Sequence, residues 1–111
     1  MENRISEADW KLFRKLKPLA LERYCQRVLS EIVGVASDST KGSHERYLSV
    51  FKQLQDRDDV LAATFNAMRR STAFVQLSRA RSLGLLTDEE FAEFSGEARD
   101  VVVLYLEMWK N

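Results

Sequence analysis

Between Val60 and Leu83 the chain reads VLAATFNAMRRSTAFVQLSRARSL, a stretch without glycine, proline or acid that carries apolar residues on two helical faces. At about 100° per residue, Leu61, Phe65, Met68, Thr72 and Val75 form one stripe, and Ala63, Ala67, Phe74 and Leu77 form a second, roughly opposite. A helix that is apolar on two sides has to lie between other elements. The stretch therefore predicts a central helix with neighbours on both faces. Four arginines, Arg69, Arg70, Arg79 and Arg81, ride on it, and no acid stands between Asp59 and Asp88 to balance them locally.

The rest of the chain favours helices as well. Four glycines and one proline in 111 residues leave few places to turn, and alternating Val, Ile and Thr runs are scarce. The length suits a single domain, residues 1–111, with one modest core. The one cysteine, Cys25, rules out an internal disulfide and fits a reducing compartment. MENRISEADW has no apolar signal segment, and no stretch approaches the ~20 apolar residues of a membrane span. A cytoplasmic protein without membrane contact is expected.

Ser6 with Asp9 three residues on resembles a capping box, and Ile5 with Trp10 occupies the positions of a hydrophobic staple. From there Trp10, Phe13, Leu16, Ala20 or Leu21, Tyr24, Val28 and Ile32 recur at helical steps. Pro18 sits inside this pattern and either kinks the helix or divides it. Gly34 and the polar run Ser37 to Ser43 form a loop, with Ser43 expected to cap the next helix. His44, Tyr47, Leu48, Phe51 and Leu54 follow. The stripe Tyr47, Phe51, Leu54, Asp58, Leu61, Phe65 then continues without a slip, but one helix from His44 to Leu83 would run ~60 Å, so a break capped by Asp56 is expected. Gly84 followed by Leu85 predicts a Schellman end, and Thr87 with Glu90 predicts a capping box. The last helix keeps a seam of Phe91, Phe94, Ala98, Val101, Tyr105 and Met108. Together these signals predict an all-α, near-antiparallel bundle with helices at about 6–35, 44–55, 57–83 and 87–109.

Function is less legible. One histidine, His44, and one cysteine cannot build a zinc or ferritin-like centre without several carboxylates, and there is no phosphate loop or nucleophile elbow. No catalytic, cofactor or metal residue is therefore assigned, and a non-enzymatic chain is expected. Cys25 reads as a half-buried structural thiol.

The chain has 17 basic and 17 acidic residues, yet the part before Gly84 carries an excess of +5 and the part from Gly84 onward −5. Such halves can neutralise one another within a molecule or between two. The leading expectation is a helical interaction module, a homodimer assembling through Phe91, Phe94, Val101, Tyr105, Met108 and Trp109, with another protein as the alternative partner. The second reading is an anion or nucleotide site at Arg69, Arg70, Ser71 and Arg81, since guanidinium forks match phosphate. The third is nucleic-acid binding through Lys11, Arg14, Lys15 and Lys17, which the zero net charge and the acidic last helix disfavour.

Overall fold

Among the described residues, the helices that follow Ser6, Thr87 and Ser95 begin where a side chain accepts a hydrogen bond from an otherwise orphan amide. The computed structural model describes residues 4–110 and contains five α-helices among them; residues 1–3, the start of the N-terminal stretch read above, and residue 111 lie outside the described residues. The helices are α1 Glu7–Ala36, α2 Ser43–Phe65, α3 Ala73–Ser82, α4 Asp88–Ala92 and α5 Gly96–Trp109, with a single 3-10 turn at Arg70–Thr72 ahead of α3. The protein is all-α, and no described helix is long and apolar enough to cross a membrane.

The Ser6 hydroxyl accepts the Asp9 amide at 3.1 Å and starts α1, while Ile5 and Trp10 are both buried beside it. α1 runs uninterrupted through Pro18. A proline ring deletes one helical bond, but Phe13, Leu16, Ala20 and Tyr24 on either side of it lie in the core and hold the helix together. Ser43 does not cap α2. Gly42 takes the cap position without a side-chain bond, and the Ser43 hydroxyl accepts from the Arg46 guanidinium at 3.2 Å.

The middle of the chain corrects the expected boundaries. There is no break at Asp56. α2 passes through it, with Lys52 paired to Asp56 one turn on at 2.7 Å and Arg57 paired to Glu31 of α1 at 2.8 Å. The break comes ten residues later, inside the stretch expected to form one central helix. Asn66 is extended and Ala67 takes a left-handed φ of 51°. The cause lies in tertiary bonding. Buried Gln76 donates to the Asn66 carbonyl at 2.8 Å and accepts from the Thr72 hydroxyl at 2.9 Å, so one amide ties α2, the 3-10 turn and α3 together. The two apolar faces are thus satisfied by folding the stretch back on itself, with Phe65, Phe74 and Leu77 in one core.

The corner after α3 matches the sequence reading. Gly84 has φ 71°, its amide donates to Arg81, and the Leu85 amide donates to Ala80, the pair of bonds that defines a Schellman end. Thr87 and Glu90 exchange their two capping bonds at 2.8 and 3.1 Å. The helix expected over 87–109 is divided at Glu93–Ser95, where Ser95 caps α5 by accepting the Ala98 amide at 3.1 Å. Asp9 explains the division. Its buried carboxylate accepts the Ser95 amide at 2.9 Å and the Ser95 hydroxyl at 2.6 Å, so the cap of α5 is anchored to the first turn of α1.

The core gathers the first two-thirds of α1, the end of α2, α3, the 85–86 corner and one face of α5. From residue 29 to residue 63 no side chain is buried. In this part α1 and α2 form an antiparallel hairpin beyond the body, and the molecule measures 54 × 27 × 24 Å.

Candidate functional site

Hydrogen bonds and an ion pair tie the two helices of the hairpin together, and apolar residues are exposed along one flank. The Tyr24 hydroxyl donates to the Arg57 carbonyl at 2.8 Å. Glu31 accepts from Gln53 at 3.0 Å and from Arg57 at 2.8 Å, and the Arg46 guanidinium donates to the Ala36 carbonyl at 2.8 Å. The Arg57 hydrogen bond holds the Glu31 carboxyl below its ordinary value, aided by Gln53. Helical geometry then decides where the apolar residues go. With Gln53 and Arg57 turned to α1, the Tyr47–Phe51–Leu54–Leu61 stripe lies about a quarter turn away, on the flank.

Leu29, Val33, Tyr47, Leu48, Phe51 and Leu54 are 43% to 66% exposed. Below them a cleft of about 270 Å³ opens between the helices, lined by Tyr24, Cys25, Val28, Leu29, Leu54, Arg57, Asp58 and Leu61. Cys25 is half-buried there. At their exposures, Leu29, Val33, Tyr47, Phe51 and Leu54 present on the order of 500 Å² of apolar surface, while Leu48 lies on the other flank of α2 with Lys52 and Asp56. The largest apolar patch on a monomeric protein is roughly 300–600 Å² and is often functional.

The residues singled out from the sequence fall in other places. Phe94 and Val101 are buried and belong to the packing of α5 on the body, so the expected C-terminal contact surface loses its centre. Phe91 and Tyr105 are half-buried against the core. Phe91 has the Arg81 guanidinium 4.6 Å over its ring. Met108 and Trp109 are exposed near the end of α5, with Trp109 5.6 Å from both the Tyr105 ring and the Arg79 guanidinium. Val103 and Leu104 extend this smaller apolar area.

The four residues of the expected anion site are not brought together. Arg70 pairs with Glu7 at 3.1 Å and lies 5.5 Å over Trp10. Arg81 donates to the Leu86 carbonyl at 2.9 Å and to Asp88 at 2.6 Å at the other end of α3. Arg69 and Ser71 are exposed, and Arg69 has no ion pair among the described residues. In the basic segment of α1, Lys11 and Lys15 are exposed, while Arg14 lies 5.9 Å over Trp10. With Lys17, Trp10 and Met68, Arg14 lines a shallow groove of about 240 Å³.

Sequence reasoning missed two linking residues. Arg23 forms a two-pronged pair with Glu90 at 2.7 and 3.0 Å and also donates to the Leu85 carbonyl at 2.8 Å. That fork brings the Glu90 carboxyl down to about 2, against the opposing effect of burial and with help from the Thr87 amide. Burial pushes the Asp9 carboxyl up, but the Ser95 hydroxyl, the Ser95 amide and the Ser6 hydroxyl outweigh it and leave Asp9 below its ordinary value. Both links fix α1 to the C-terminal half. A hydrophobic-moment reading of α1 offers no hint of either, since each depends on a partner more than 60 residues away.

His44 is exposed in the first turn of α2, and among the described residues no three His, Cys, Asp or Glu side chains converge as metal ligands would. Fold and surface together define a small all-α protein with a projecting, apolar-edged hairpin. Compared with known proteins, the chain matches no family model, no curated protein and no solved structure.

Proposed function

We propose that this chain is a helical protein–protein interaction module whose contact surface is the apolar edge of the α1–α2 hairpin. One observation carries the reading: Leu29, Val33, Tyr47, Phe51 and Leu54 are large, apolar and exposed along a hairpin whose helices are tied to one another by hydrogen bonds and ion pairs. An edge of this kind lowers its free energy when another protein excludes water from it, by roughly 25 cal/mol per Å² of apolar area. The body supplies a rigid base for the hairpin through the Asp9–Ser95 and Arg23–Glu90 links.

The anion reading receives less support, because Arg70 and Arg81 already have carboxylate partners on separate parts of the surface. The C-terminal surface of α5 is the competing contact area. A photo-crosslinking amino acid placed at Phe51, and separately at Leu104, tests the choice in cells producing the protein. Discrete adducts from position 51 with few from position 104 are the expected outcome. Adducts from position 104 alone would move the contact to α5 and overturn the reading.

A further inference from the structure

Away from the hairpin edge, we infer that the groove between the first turns of α1 and the turn after α2 binds a phosphate group through Arg14, Lys17 and Arg70. The site shares no residue with the apolar edge and does not depend on it.

Trp10, Arg14 and Lys17 follow one another at steps of four and three, so one stripe of α1 carries all three. Met68 joins them, brought there by the left-handed turn at Ala67 that redirects the chain after α2. Together the four line the groove of about 240 Å³. Arg70 reaches the same ring: its guanidinium carbon is 5.5 Å from the Trp10 ring centre, and that of Arg14 is 5.9 Å away. Folding thus joins part of the basic segment of α1 to part of the arginine cluster around Ser71, while Arg81 stays with Asp88 at the far end of α3.

These cations converge without matching anions. Two of the four lining residues are basic and none is acidic, and neither Arg14 nor Lys17 has an ion pair among the described residues. Lys17 is half-buried, so part of its hydration is already lost. Two guanidinium groups held at one ring also repel each other. An anion seated among the three relieves both costs. Glu7 offsets only a part of them. It pairs with Arg70 at 3.1 Å, but the two side chains are 61% and 59% exposed. An exposed pair of that kind contributes little, so a ligand of higher charge displaces it.

Phosphate fits the set better than carboxylate. A phosphate ester carries nearly two charges on three acceptor oxygens, and guanidinium forks bind it bidentately. The groove is smaller than the roughly 300–1,000 Å³ that enclose a whole small ligand, so it takes the phosphate group and leaves the rest of a larger ligand in solvent. Free phosphate and a phosphorylated side chain of another protein both present that group.

Proton–nitrogen NMR at about pH 8, where phosphate monoesters are dianionic, tests the site through the chain's two tryptophans. The Trp10 indole N–H reports on the groove, and that of Trp109, at the end of α5, serves as the internal control. At constant ionic strength, inorganic phosphate is expected to shift the Trp10 signal saturably, with Kd on the order of 1 mM, and to leave Trp109 unmoved. Arg14→Gln and Lys17→Gln, with the rest of the spectrum unchanged, should each weaken binding about fivefold or more. Lys11→Gln with Lys15→Gln removes two charges from another face of the same helix and should change the affinity less than about twofold. A short phosphoserine peptide that binds about tenfold tighter than inorganic phosphate, while its unphosphorylated form is silent, would assign the group to a phosphorylated protein; equal affinities would assign it to free phosphate.

No saturation of the Trp10 shift by about 20 mM phosphate or peptide, shifts of equal size at both tryptophans, or an equal loss of affinity on removing Lys11 and Lys15 would each overturn the site.

Discussion

Replacing Glu90 by Gln removes the charge that fastens α1 to the α3–α4 corner while keeping the side chain's size. Glu90 takes both prongs of Arg23 and also accepts the Thr87 amide, and its carboxyl lies at about 2 instead of the ordinary 4.5. Each unit of displacement corresponds to ~1.36 kcal/mol of differential stabilisation, so the ceiling is roughly 3 kcal/mol. Arg23 is 32% exposed, and solvent screening reduces the expected loss to about 2 kcal/mol. In a domain this size that lowers the melting temperature by about 8 °C. The pH dependence follows from the direction of displacement. A carboxyl depressed in the folded state stabilises fully above its unfolded value, and the contribution disappears as pH falls from about 4.5 toward 2. Urea melts of wild type and Glu90→Gln at pH 7, 4 and 2.5 should therefore differ by about 2 kcal/mol at pH 7, with the gap narrowing to about a quarter of that at pH 2.5. An unchanged gap at pH 2.5, or a gap under 0.5 kcal/mol at pH 7 (set against the ~2 kcal/mol expected), would refute the assignment of that stability to the charged fork.

Asp9→Ala deletes the acceptor that joins the α5 cap to the first turn of α1, and urea denaturation should show a loss of about 2 to 4 kcal/mol, with Asp9→Asn intermediate. Gly84→Ala should cost about 1 to 2 kcal/mol in the same assay. Its Cβ would find the Arg27 guanidinium no nearer than 3.9 Å, so left-handed backbone strain accounts for the whole effect. Ala67→Gly works in the opposite direction: relief of the strain at φ 51° should stabilise the protein by up to about 1 kcal/mol, reduced by the extra freedom of glycine in the unfolded chain.

What could be read from the sequence was whatever is decided within one or two helical turns. The Ser6 cap, the Gly84–Leu85 corner and the Thr87–Glu90 box are local exchanges of backbone bonds, so neighbouring residues specify them. The break at Asn66 and the cap at Ser95 answer to Gln76 and Asp9, which come close only after folding. Ser95–Gly96 did carry a local turn signal, but the seam of Phe91, Phe94 and Val101 on either side of it suggested one continuous helix. Periodicity also shows that a face is apolar without showing what lies against it. Phe94 and Val101 have the same spacing as Leu54 and Leu61, yet the first pair is buried within the chain and Leu54 is exposed. Glu31, Gln53 and Arg57 decide that difference by turning the polar side of α2 toward α1.

The absence of any buried side chain between residues 29 and 63 also bears on how this protein opens. Local unfolding follows contact density, so the outer hairpin is expected to exchange its amide hydrogens at a lower free-energy cost than the body. It can unravel and re-form while α3, α5 and the inner half of α1 stay closed. Substitutions there leave the body's melting transition almost unchanged, and docking on the apolar edge registers first as slowed exchange in the outer turns of α1 and α2.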